Sequence, residues 1–209
     1  MNKGELRSHI KDVMNRTDLT DALTDTFIEQ TLSRIQRLLR IPSMERTATQ
    51  TVAGGYDGFV VPNNFLEIIS IRSQGNQVCT RMEYSDFVAL ANVEGTPTKF
   101  TREPATNRFL LHPVPTSGTV LELKYYAEFT ALSTDASTNE ISNIGEDLIT
   151  YGALSYASDY FIDERKQLFE ASFQNYLTEI KTQSIDEAFA GGNLSISGAY
   201  QYTDYQPNE

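Results

Sequence analysis

Apolar residues recur every three or four positions at both ends of this chain and every second position through its middle. Leu6, Ile10, Val13 and Met14 fall at helical spacing, and the pattern breaks at Asn15-Arg16-Thr17-Asp18. A longer helix is predicted over residues 20–39, with Leu23, Phe27, Ile28, Leu32, Ile35, Leu38 and Leu39 on or near one face. Its start is acidic (Asp18, Asp21, Asp25) and its end basic (Arg34, Arg37, Arg40), an order that complements the helix dipole, and Pro42 closes it.

From residue 47 to 132 the period shortens. Runs rich in β-branched and aromatic residues at 47–53, 58–61, 66–73, 77–81, 98–102, 108–112 and 119–129 read as strands. Gly54-Gly55, Pro62-Asn63-Asn64, Gln74-Gly75-Asn76, 104–107 and 113–118 separate them. Strands so close in sequence predict antiparallel hairpins. One short helix, 84–92, interrupts them. In the last run Val120, Glu122 and Lys124 alternate with Leu121, Leu123 and Tyr125.

Helical spacing returns after a polar linker at 133–142. Asn143 with Glu146 has the form of a capping box, and Leu148, Ile149, Gly152, Tyr156 and Tyr160 continue the helix. Gly152, Ala153 and Ala157 are small enough to admit a neighbouring helix closely. Beyond Asp163-Glu164, Leu168, Phe169, Phe173, Tyr176, Leu177 and Ile180 form one stripe. A second capping-box pattern, Ser184 with Glu187, sets off 185–190 as a final turn before Gly191-Gly192. The predicted fold is α+β: an antiparallel bundle of four main helices with an inserted antiparallel β domain and an extended C-terminal arm. Its parts are the N-terminal bundle helices (1–45), the β-rich insertion (46–132), the C-terminal bundle helices (133–184) and the arm (185–209).

The arm changes the picture most. Its 25 residues contain no Lys or Arg, yet they carry Phe189, Leu194, Ile196, Tyr200, Tyr202 and Tyr205. Gly191, Gly192 and Gly198 keep it from extending a helix or holding a core of its own. Disordered tails are poor in aromatics, so spaced apolar anchors on an acidic strand point to docking on another subunit. Those six residues are the candidate docking site.

Charge and chemistry narrow the rest. The net charge of −11 is uneven: residues 1–104 hold 12 Lys+Arg against 13 Asp+Glu, and residues 105–209 hold 5 against 15. That balance argues against counterion-driven nucleic-acid binding. The lone Cys79 excludes an internal disulfide and reads as a small core residue. His9 and His112 have no metal-ligand company at a useful spacing, and no Gly-x-Ser-x-Gly elbow is present. The glycines at 54–58 are not followed by the Lys-Ser/Thr of a phosphate loop. The pairs Glu146-Asp147 and Asp163-Glu164 sit at predicted helix ends, where carboxylates cap. No catalytic, cofactor or metal site is expected. With no membrane-length apolar run and no signal-peptide pattern, the chain is read as made in a reducing host cytoplasm.

An ordered set of short pieces resembles the head–tail connector, or adaptor, proteins of tailed bacteriophages. The pieces are the helix over 20–39, ending in Arg34-Ile35-Gln36-Arg37-Leu38-Leu39-Arg40 and followed by Met44-Glu45, then Phe59-Val60-Val61-Pro62-Asn63-Asn64-Phe65-Leu66-Glu67. Gly95-Thr96-Pro97-Thr98-Lys99-Phe100 leads to Phe109-Leu110-Leu111-His112-Pro113-Val114-Pro115, and Lys124-Tyr125-Tyr126 and Leu132-Ser133 precede Asp147-Leu148-Ile149-Thr150-Tyr151-Gly152-Ala153-Leu154. They span about residues 18–160; their order and spacing carry the match. The resemblance implies a non-enzymatic virion protein at the head–tail junction. It implies a homo-oligomeric ring, usually of twelve copies, bound beneath the portal protein. Genomic DNA would pass through without specific binding, and a tail nozzle or tail tube protein would attach below; no membrane is involved. The tail tubular proteins of short-tailed phages share this plan and give the first alternative. A virion-associated wall hydrolase and a carbohydrate-binding module are the rivals from other classes, the latter disfavoured by the absence of Trp.

Overall fold

The structure is a computed structural model and describes residues 1–53, 58–73, 77–103 and 105–189. It is α+β. Helix α1 (Lys3–Met14) starts at a reciprocal cap: Asn2 Oδ1 accepts from the Glu5 N–H, and the Glu5 carboxylate accepts from the Asn2 N–H, each at 2.9 Å. Asn15, left-handed at φ 50°, ends it. Thr20 caps α2 (Asp21–Leu38), and a 3₁₀ turn at Pro42–Met44 hands the chain to the sheets.

Strands β1 (Glu45–Thr51), β8 (Val120–Ala127), β3 (Phe65–Ser73) and β4 (Gln77–Val78) form one four-stranded sheet in that order. Strands β2 (Phe59–Val60), β7 (Arg108–His112), β6 (Lys99–Glu103) and β5 (Thr80–Arg81) form the other. Phe59, Ile71, Phe100, Phe109, Leu121 and Leu123 meet in one buried cluster drawn from both sheets, with Phe100 edge-on to Phe109 at 5.7 Å. The alternation expected in β8 holds: Leu121, Leu123 and Tyr125 are buried while Val120 and Glu122 are exposed.

Two features correct the expected all-antiparallel insertion. The run at 77–81 is not one strand, because the chain changes sheets at Cys79. The Cys79 N–H donates to Ile71 O in one sheet, and the Thr80 N–H donates to Thr98 O beside the other. Strand β5 then pairs with β6 in parallel. The segment 82–98 between them, which includes α3 (Tyr84–Val88), is long enough for the crossover that parallel pairing requires.

The helices share a second buried cluster, which includes Leu6, Ile28, Ile35, Leu148 and Phe173. Helix α5 (Glu146–Tyr160) packs against α1, α2 and α6 (Lys166–Phe189). Gly152 makes this possible, as its small-residue neighbourhood suggested: a Cβ there would fall against Thr31 Cγ2 of α2 and 3.0 Å from Phe173 Cδ2 of α6. Asn143 is not a cap. It lies inside α4 (Glu140–Ile144), and the capping box is Asn139 with Ser142, whose hydroxyl and backbone complete it. Leu168 is not in the α6 stripe but 64% exposed, because Phe169, Phe173, Leu177 and Ile180 define the buried line and Leu168 lies a third of a turn off it. Ser184 does not start a new turn either. Its hydroxyl donates to Ile180 O at 2.9 Å within a continuous α6. Arg40–Glu67 at 3.0 Å, and Arg46–Glu140 at 2.5 Å, tie the helices to the first sheet.

Candidate docking surfaces

The side chains that most often carry chemistry are occupied structurally. Cys79 is buried against Pro97 O, and desolvation pushes its thiol up to about 11, far from a reactive thiolate. His112 sits at the end of β7 with Nε2 2.9 Å from Ala91 O, so that ring nitrogen donates; His9 is exposed on α1. Asp163 receives the Arg165 guanidinium and backbone N–H, which hold its carboxyl down to about 2. Glu146 and Asp147 occupy the first turn of α5. Among the described residues no group of three or more His, Cys, Asp or Glu is placed to hold a metal ion.

Of the six arm residues, Phe189 is the last residue of α6. Leu194, Ile196, Tyr200, Tyr202 and Tyr205 lie outside the described residues.

The body itself presents an apolar surface that the sequence pattern concealed. Between α5 and α6 the chain turns through Phe161 and Ile162, with Ile162 at φ 55° and 92% exposed. A β-branched residue in the left-handed region is strained. The surroundings over-determine it: the Asp163 N–H donates to Ser158 O at 2.8 Å, and Arg165, braced on Asp163, also donates to Val13 O of α1. Arg16 lies over the Phe161 ring at 4.2 Å, and Tyr160 meets that ring edge-on at 4.9 Å. Tyr160 before this turn and Leu168 after it are 62% and 64% exposed. Apolar groups held rigidly in water mark a contact surface more often than scattered ones do. The one sequence signal was the position of Ile162 between an aromatic pair and Asp163-Glu164.

Beside this knob an open groove of about 760 Å³ runs between α2 and α5. Phe27 and Tyr160 contribute its aromatic wall, their rings 5.8 Å apart, and Glu29, Arg37 and Asp159 its charges. The adjoining side of α2 is locked by Arg34, whose guanidinium grips Glu170 of α6 and lies 4.2 Å over the Phe173 ring. That grip, joined by Gln174 and Ser155, depresses the Glu170 carboxyl to about 2 although partial burial opposes it. The Arg34–Glu170 and Arg46–Glu140 pairs cross-brace the body that carries these surfaces.

The model of the SU10 adaptor protein family matches residues 1–195, nearly the whole chain. The chain belongs to this family. SU10 adaptor membership makes it a phage head–tail adaptor and gives it a structural role among the components of the virion. No relative among curated proteins matches it. The family match runs through both sheets, all six described helices and the first residues of the arm. Among the described residues no helix is long and apolar enough to cross a membrane.

Proposed function

We propose that the chain assembles as a homo-oligomeric ring on the portal vertex, twelve copies being the number the family resemblance implies. The ring forms part of the DNA channel and provides the attachment surface for the tail nozzle or tail tube protein. The helices α1, α2, α5 and α6 act in it as one antiparallel bundle spanning residues 1–45 and 133–184, the insertion 46–132 as a second body, and 185–209 as the docking arm. Phe189, Leu194, Ile196, Tyr200, Tyr202 and Tyr205 are the anchors by which the arm grips the portal or a neighbouring copy.

The observation that carries this reading is the adaptor-family match over residues 1–195. Two physical features support it. Each copy carries −11, so a channel lined by such subunits repels rather than binds DNA passing through. The exposed Tyr160, Ile162 and Leu168 supply apolar surface that association would cover. The test is to mix the purified protein with candidate portal rings and measure the mass of the complex. A discrete stoichiometric ring is expected. Binding to tail proteins without portal binding would move the chain to the tail nozzle, and no binding by well-folded protein would overturn both.

A further inference from the structure

Strand β3 pairs with β8 on one side from end to end, with irregularities in register at Leu66 and Ile69. Strand β8 covers Phe65 to Ser73, but on the other side β4 reaches only Arg72 and Ser73. The Cys79 N–H takes Ile71 O, and among the described residues no ladder partner lies along the outer side of residues 66–70. Such an edge is a template for another strand. It is also apolar for an edge: Leu66 and Ile68 are half-buried and Ile69 is 38% exposed.

A cavity of about 150 Å³ opens between the two sheets beside this edge. Phe65, Phe100 and Phe109 form its wall, Arg81 and Arg102 stand at it, and the carboxylate that also borders it, Glu67, is paired with Arg40. It is smaller than the roughly 300 Å³ at which small-molecule sites begin, so it suits a single side chain. Arg102 lies 5.4 Å over the Phe65 ring and donates to Asn107, and no ion pair holds Arg81 among the described residues. The site combines a free backbone edge, an aromatic side-chain slot and two cations. Its complement is an extended segment with alternating apolar residues and a carboxylate beyond one end.

The chain contains one such segment. From 193 to 203, Leu194, Ile196, Tyr200 and Tyr202 alternate with Asn193, Ser195, Ser197, Ala199, Gln201 and Thr203, and Gly198 holds the remaining place on the apolar side. That is the two-residue period of a strand with one apolar face. Asp204 and Glu209 follow, with no Lys or Arg anywhere beyond Lys181. Helix α6, which precedes the segment, contacts the 3₁₀ turn at Pro42–Met44 that leads into β1. Ile180 of α6 lies against Gly145, next to α4, and Glu140 of α4 pairs with Arg46 at the head of β1.

We infer that residues 193–203 of one copy add as a strand to the free edge of β3 in a neighbouring copy. One of the arm's apolar side chains enters the slot between the sheets, and the acidic end faces Arg81 and Arg102. Strand addition draws affinity from main-chain hydrogen bonds and specificity from alternate side chains. It also covers an edge that would otherwise recruit unrelated strands. The inference rests on the homo-oligomeric assembly proposed above and names the surface the arm occupies within it.

The experiment mixes equal amounts of full-length Ile69→Cys and full-length Tyr200→Cys chains, assembles them with the portal, and oxidises them mildly. Cys79 is buried and stays in place. Native mass spectrometry checks the ring, and non-reducing electrophoresis with peptide mapping reads the bonds. A covalent dimer through positions 69 and 200 of different chains is expected. Adding Arg81→Glu and Arg102→Glu to the Ile69→Cys chain should lower its yield at least tenfold. An intact ring that yields only monomers, or arm cysteines cross-linked to the portal, overturns the inference. Failure of any ring to form overturns the assembly reading instead.

Discussion

Arg34 of α2 and Glu170 of α6 face each other through both guanidinium nitrogens, Nη1–Oε2 at 2.9 Å and Nη2–Oε1 at 2.5 Å. The carboxylate also accepts from Ser155 of α5 and from Gln174, each at 2.9 Å, so one side chain joins three helices. Glu170→Gln keeps the shape and removes the charge. It should lower the unfolding free energy by about 1.5–3 kcal/mol, the range for hydrogen bonds to a charged group, measured by urea denaturation at neutral pH.

The same pair sets a pH dependence. The Glu170 carboxyl is held at about 2 in the folded chain against an ordinary value of 4.5. A group whose folded pKa is depressed stabilises the fold above its unfolded value and loses that contribution as pH falls through the folded one. The stability gap between wild type and Glu170→Gln should therefore be full above about pH 4.5 and close as pH approaches 2. The difference isolates this group from Asp163, which titrates in the same window. A gap that stays constant from pH 6 to 2 would contradict the assignment.

Gly152 is a point of close approach of α5 to α2 and α6. Gly152→Ala places a methyl against Thr31 and Phe173 and should cost about 1–3 kcal/mol. Thr31→Ser removes the opposing methyl yet keeps the hydroxyl that donates to Phe27 O. The double variant should recover part of the loss, so a thermodynamic cycle should show a favourable coupling. Simple additivity would place the strain elsewhere.

Ile162 is an inverse case. Replacing it with Asn, which tolerates the left-handed region, should raise the stability of the free chain by about 1 kcal/mol, because a 92% exposed side chain loses no burial. If the α5–α6 turn is a contact surface, the same substitution weakens assembly. Thermal unfolding of the free chain and complex mass on the portal should therefore move in opposite directions.

Removal of residues 190–209 should leave the helical and sheet cores intact, since both are already closed among the described residues. Circular dichroism and denaturation midpoint should match the full chain, while association with portal or with sister copies should fall at least tenfold. Tyr200→Ala, Tyr202→Ala and Tyr205→Ala together should reproduce most of that loss.

Periodicity made the elements legible. The helical spacing of Phe27, Ile28, Leu32, Ile35 and Leu39, the alternation of Leu121, Leu123 and Tyr125, and the small residues around Gly152 each state a local requirement that the folded chain meets, whereas Leu38, expected near the same face, is exposed. The ordered pieces at 34–45, 59–67 and 95–115 sufficed to indicate the adaptor family.

What the chain alone left open depends on contacts between distant residues. No local pattern reveals that Cys79 carries the chain from one sheet to the other, or that β5 pairs in parallel with β6; both follow from which sheet each strand finds. Asn139 takes the cap in place of Asn143 because Ser142 closes its box, and because Gly145 must fit beneath Ile180. The uncovered edge of β3 and the strained Ile162 are likewise properties of assembly in space. Sequence periodicity determined which faces must be buried. Only the tertiary structure decided which edge and which apolar side chains remained exposed, because packing fills surfaces by shape and not by order along the chain.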